Sequence, residues 1–156
     1  MDIQGNQMTK EVEDWINETL SKPNEIFGNL PPCPYARKAW KDKKVKVTYD
    51  KAVLIEDYAK LKSGEIDLIM IIQQDASVDE LYKLKDHLEN NLGKDYVVLE
   101  DHPELKEEVA GMNLNFGKPV LFVQSRKKLT EARKLLEGTD YYKNFEKEYK
   151  DDILSN

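Results

Sequence analysis

"IDLIMIIQ", residues 66–73, decides the fold. Six of its eight positions are apolar, and five of those, Leu68 to Ile72, are consecutive. A strand with one wet face would alternate; an unbroken run of this length predicts a strand covered on both faces, central in a sheet with helices above and below. Gly64 precedes it and the polar "QQDAS" follows, so the element is short.

Working outward, "KVKVTYD" at 44–50 alternates Val45, Val47 and Tyr49 with polar residues, the pattern of a half-buried strand. Residues 52–62 place Ala52, Ile55, Tyr58, Ala59 and Leu61 at helical spacing. Downstream, "SVDE" at 77–80 is a capping box. It opens a helix carrying Val78, Leu81, Leu84, Leu88 and Leu92 on one face and stopping at Gly93. "DYVVLE" at 95–100 and "PVLFVQ" at 119–124 read as two further strands. A helix with Leu129, Ala132, Leu135 and Leu136 follows, ended by Gly138. Strand–helix–strand units require some parallel pairing with crossovers. The expected fold is α/β (or α+β): one domain over residues 1–156, with a single mixed, partly parallel four-stranded sheet and helices packed on it.

Two elements precede the first strand. Val12, Trp15, Ile16, Thr19 and Leu20 give one apolar face to a helix over Thr9–Leu20, with Thr9 as its N-cap. Pro23 ends it, and Pro31, Pro32 and Pro34 make the stretch to residue 34 extended and stiff. The ordered core is expected over about 9–138, with 140–156 as a charged tail, helical around Tyr142 to Tyr149.

Apolar residues make up 40% of the 156 and charged residues 35%, with clear apolar periodicity, which argues for a folded chain. A single cysteine excludes an internal disulfide framework and a cysteine-rich zinc site. No apolar stretch reaches the ~18 residues of a membrane span and no leader segment precedes the first helix, so a cytoplasmic, membrane-free protein is expected. The net charge of −6 argues against nucleic-acid binding. Residues 37–46 ("RKAWKDKKVK") nevertheless hold six Lys/Arg and one Asp, a local +5 suited to a small anion or to a solvated face. Lysine outnumbers arginine 21 to 3, and Arg37, Arg126 and Arg133 are the only bidentate donors.

The candidate site is "NLPPCPYARKAW", residues 29–40. With Pro34 at the first helical position, Cys33 is expected at the N-cap of a short turn running to Lys41, where free backbone N–H groups and Arg37 would lower its thiol pKa. His102, in the loop after a strand, is the candidate general base or orienter, and Arg37 with Lys38 would hold an anionic group. "AGMNLNFGKP" at 110–119 offers Asn113, Asn115 and Lys118 as substrate-binding residues, with Gly111 and Gly117 permitting unusual backbone angles. His87, at the border of a helical apolar stripe, reads as structural. Carboxylate pairs such as Glu107–Glu108 read as solvated. No metal site and no cofactor is expected, since no P-loop, dinucleotide fingerprint, H-E-x-x-H or G-x-S-x-G occurs.

"CPYA" at 33–36 resembles the "CPYC" of glutaredoxins and the "CPFA" of omega-class glutathione transferases, which implies a cysteine at a helix N-terminus. Ala36 replaces the second cysteine, so dithiol cycling within one chain is excluded. "GKPVLFV" is similar to the proline-led strand of thioredoxin-like folds. Across about residues 11–136 the chain also resembles a family of uncharacterised bacterial proteins with an N-terminal "LCPFA" motif. The matching pieces are "PPCPYA" at 31–36, "DHPE" at 101–104 and "MNLNFGKP" at 112–119. That resemblance implies a site around Cys33 and brings no established reaction. Two functions follow as expectations: cysteine-dependent transfer or binding of a small anionic ligand, or an adaptor domain presenting "NLPPCPY" with Phe27 and Trp40 to a protein partner.

Overall fold

The computed structural model describes residues 3–49, 55–105, 108–109 and 112–155. Its elements are α1 (Ile3–Trp15), α2 (Ala36–Lys41), β1 (Val45–Tyr49), α3 (Ile55–Ser63), β2 (Leu68–Ile72), α4 (Val78–Leu92), β3 (Tyr96–Asp101), β4 (Glu108–Val109), β5 (Met112–Asn113), β6 (Val120–Ser125), α5 (Arg126–Glu137) and α6 (Lys147–Ser155).

One mixed sheet runs β1-β2-β6-β3, and β4 pairs with β5 in a separate two-stranded ribbon. β1 is parallel to β2, while β6 lies antiparallel between β2 and β3. "LIMII" is central as expected, and alternation sorts its side chains. Ile69 and Ile71 join Leu61, Leu81, Val98, Leu121 and Val123 under α3 and α4. Met70 and Ile72 join Val12, Ile16 and Val120 under α1, with Leu68 and Phe122 beside them. Both faces are therefore covered, which is why the run contains no polar break.

Ser77 caps α4: its Oγ accepts from the Glu80 N–H at 3.2 Å and donates to the Glu80 carboxylate at 3.1 Å. At the other end, Gly93 donates its N–H to the Glu89 carbonyl at 3.1 Å. Other boundaries need correction. α1 begins at Ile3, so Thr9 lies within the helix instead of capping it, the helix running on through Gly5 and Asn6. Its last turn, Ile16–Leu20, widens into a π-helix. In α3 the inward residues are Asp57 and Leu61, while Ile55 is 87% exposed; Ala52 lies outside the described residues. Leu135 of α5 points to solvent and Leu136 inward. His87 is exposed, touching Asn91 one turn on.

The largest correction concerns the ends. Residues 24–30 close on themselves instead of running extended: Asn24 and Leu30 are bridged, Asn24 Oδ1 accepts the Ile26 N–H at 2.9 Å, and Glu25–Phe27 forms a 3-10 turn. Phe27 is fully buried in an aromatic cluster with Tyr141, Tyr142 and Phe145. Its ring lies 5.1 Å from Tyr141 and 5.8 Å from Phe145. The segment after Gly138 is thus core, and the helix there starts at Lys147. Phe27 cannot belong to an interaction surface, and Trp40 is half-buried against the α1 face of the sheet.

Candidate site: a cleft beside Cys33

The widened last turn of α1 sets the position of Cys33. Its final carbonyl, on Leu20, accepts the Cys33 N–H at 2.9 Å. One residue back, the buried Pro32 carbonyl accepts the Tyr141 hydroxyl. The proline turn is therefore pinned from both ends of the chain. Beyond it the Ala36 N–H returns to the Cys33 carbonyl at 3.3 Å, a turn that delays the start of α2 to Ala36 with Tyr35 as cap. Cys33 is not the N-cap, because its carbonyl is spent on the preceding turn.

The N–H groups of Tyr35 and Ala36 do face the sulfur and pull its pKa down, but burial is the larger effect and leaves the thiol above its ordinary value. Arg37 is exposed and stands outside the cleft wall, and Lys38 sits at its rim, 3.9 Å from Asp42. Between the proline turn, α2 and the α1 face of the sheet lies a cleft of about 510 Å³. Trp15, Leu20, Cys33, Ala36, Ala39, Leu68, Met70 and Phe122 form its largely carbon walls, with Lys38, Asp42, Lys44, Asp67 and Gln124 at the margin. A wider cleft of about 930 Å³ follows β3, the edge strand, toward α5 and α6.

His102 is elsewhere. It follows Asp101, which pairs with Val120 and so with the Ile72 end of the sheet, whereas Cys33 borders Leu68, Val45 and Gln124 at the other end. From Leu99, the nearest cleft residue on β3, to His102 is roughly 10 Å of strand. The imidazole is buried and fully employed: Nδ1 accepts the Glu104 N–H at 3.0 Å, which leaves Nε2 protonated and donating to the Ala76 carbonyl at 2.8 Å. It fastens the β2–α4 loop to the end of β3.

The asparagines serve the same end. Asn115 donates to the carbonyls of His102 at 2.8 Å and Leu105 at 3.2 Å, and accepts the Gly117 N–H at 2.6 Å. Exposed Asn113 accepts the Asn115 N–H at 2.9 Å, and Lys118 pairs with Glu11 at 3.2 Å. Asp101 receives the Phe116 N–H at 2.8 Å, yet burial still raises its pKa. Gly111 and Glu107 lie outside the described residues. The sequence-selected residues thus fall into two groups at opposite ends of the sheet, Cys33 with Lys38 and His102 with Asn113, Asn115 and Lys118. Among the described residues no cluster of three His, Cys, Asp or Glu could hold a metal ion, and no helix is long and apolar enough to cross a membrane.

Sequence reasoning missed Trp15 as a cleft wall and Tyr141 as the clamp on Pro32. The aromatic density of "YYKNFEKEY" at 141–149 was the available signal, since a solvated tail has no use for so many rings. No protein-family model, curated protein or solved structure matches the chain.

Proposed function

We propose that this domain binds a small, mainly apolar molecule in the cleft beside Cys33. The observation that carries the reading is the cleft itself: about 510 Å³, within the ~300–1,000 Å³ common for ligand sites, with carbon walls and a few polar groups at the rim. Binding is favoured over thiol transfer. The thiol is held protonated by burial, and the two carboxylates that border the cleft, Asp42 and Asp67, are engaged by Lys38 at 3.9 Å and Lys128 at 2.6 Å. Cys33 acts as a small apolar wall group. Its unpaired state suits a reducing compartment, the cytoplasm.

The test is titration with decanol, below its solubility limit, followed by tryptophan fluorescence and by the rate of Cys33 alkylation at about pH 9. Trp15 lines the cleft, so a saturable signal is expected, with alkylation slowed in parallel. In Ala39→Phe, which fills the cleft from α2, both effects should weaken about tenfold or more. No saturable change, or one that Ala39→Phe leaves intact, refutes the reading.

A further inference from the structure

We infer that the ligand is an amphipathic acid, its apolar body beside Cys33 and its oxyanion, a carboxylate or phosphate, on the guanidinium of Arg133 with Arg126 alongside. The inference rests on the binding reading above and names the class of molecule.

The two clefts share a wall. Trp15, Leu20, Leu99, Leu114 and Phe122 border both the 510 Å³ and the 930 Å³ spaces, so the two adjoin there, and the proposed ligand spans from the first into the second. Two of the chain's three arginines border that second space. They sit seven residues apart on α5, two helical turns along one side, and each is oriented by a backbone carbonyl. Arg126 Nε donates to Lys94 at 2.8 Å, and Arg133 donates to Ile153 at 3.1 Å.

Arg133 is the unusual one. It is half-buried and forms no ion pair among the described residues, its one hydrogen bond there using a single donor of five. Charged side chains withdrawn from water are ordinarily paired, because an unpaired buried charge is costly. Desolvation pulls its pKa down, against nearby Tyr142 and Tyr149, and the like charge of Arg126 adds to the fall. An incoming oxyanion relieves both effects. The neighbouring acids do not replace it: Glu100 and Glu89 are engaged by Lys85 at 2.6 and 3.8 Å, Asp101 holds the Phe116 N–H, and Asp152 has an interaction of its own and forms no ion pair with Arg133. A planar guanidinium fork matches carboxylate and phosphate oxygens, which lysine does not.

The bond to Ile153 also helps hold the last turn of α6, so the test needs a readout that a purely structural role leaves alone. That readout is a ratio: the affinity for decanoate, and separately for decyl phosphate, each divided by the affinity for decanol, below micelle formation. In the wild type at least one ratio is expected to exceed ~10, and the larger one assigns the head group. In Arg133→Met, which keeps the stem, that ratio should fall toward unity while decanol still binds. Equal binding of all three compounds, or a ratio unmoved in Arg133→Met, overturns the head-group assignment and leaves the apolar cleft standing. Failure of all three to bind removes the cleft reading itself.

Discussion

Replacing Tyr141 with Phe isolates the clamp that holds the proline turn. The ring keeps its neighbours, Phe27 at 5.1 Å, Tyr142 at 4.8 Å and Phe145 at 5.5 Å, so apolar burial is unchanged. What is lost is one hydrogen bond to the Pro32 carbonyl. Tyr141 is 8% exposed and Pro32 is buried, so water cannot easily take the vacated place. Leaving a buried carbonyl unmatched costs about 1–3 kcal/mol. Against a typical domain stability of ~5–15 kcal/mol the variant stays folded. The loss falls on the segment carrying Cys33, so its local opening should rise roughly 5- to 150-fold, at a factor of ten per ~1.4 kcal/mol. Urea unfolding reads the first quantity and hydrogen exchange of the Cys33 amide, bonded to the Leu20 carbonyl, the second. An unchanged midpoint together with an unchanged exchange rate would refute the claim that Tyr141 pins the turn.

Three more predictions concern the same framework. Gly28 has φ +67, and a Cβ there would stand 2.6 Å from the Asp140 backbone, so Gly28→Ala should cost about 2–4 kcal/mol from left-handed strain and overlap, read as a lower urea midpoint. Burial raises the Asp101 pKa, so its contribution is full below the unfolded value near ~3.9 and declines as pH rises through the folded value; Asp101→Asn should flatten that acid-range dependence, and an unchanged pH profile of stability contradicts it. The raised Cys33 pKa has the same sign: stability should fall as pH climbs past the ordinary thiol value near ~8.5, and alkylation should inflect above that value in the wild type, whereas an inflection below it would mean an activated thiolate.

The sheet was legible because its strands advertise themselves by composition. "LIMII" read as central and is, and the Ser77–Glu80 box and Gly93 bounded α4 from local chemistry alone; the half-covered reading of "KVKVTY" needs correction, because Thr48, on the face opposite Val45, Val47 and Tyr49, is the buried residue of β1. The insertion of β6 between β2 and β3 was not legible, since antiparallel and parallel neighbours place the same demand on a two-faced strand. The role of residues 141–145 was hidden for a different reason. Their burial depends on Phe27, more than a hundred positions away, and on a left-handed Gly28 that brings the loop against Asp140. For the site, Cys33 was found from its prolines, but the local pattern gave the wrong sign for its thiol. N–H groups facing the sulfur are a near-neighbour effect, while the larger desolvation comes from distant elements folding over it. His102 and the asparagines had the right residue types for chemistry, and their partners, backbone carbonyls and N–H groups, leave no mark in a sequence.

The most direct test of the ligand cleft is an amide and indole chemical-shift titration of the isotope-labelled chain with decanoate. The Trp15 indole N–H, bonded to the Leu114 carbonyl at 3.1 Å, gives a resolved reporter inside the wall shared by both spaces. The account predicts saturable shifts at the Trp15 indole and at Leu20, Cys33, Leu99 and Leu114, with Ala76 and Glu104, the partners of the His102 imidazole, unmoved. Shifts centred on His102 and Asn115, with Trp15 silent, would contradict it.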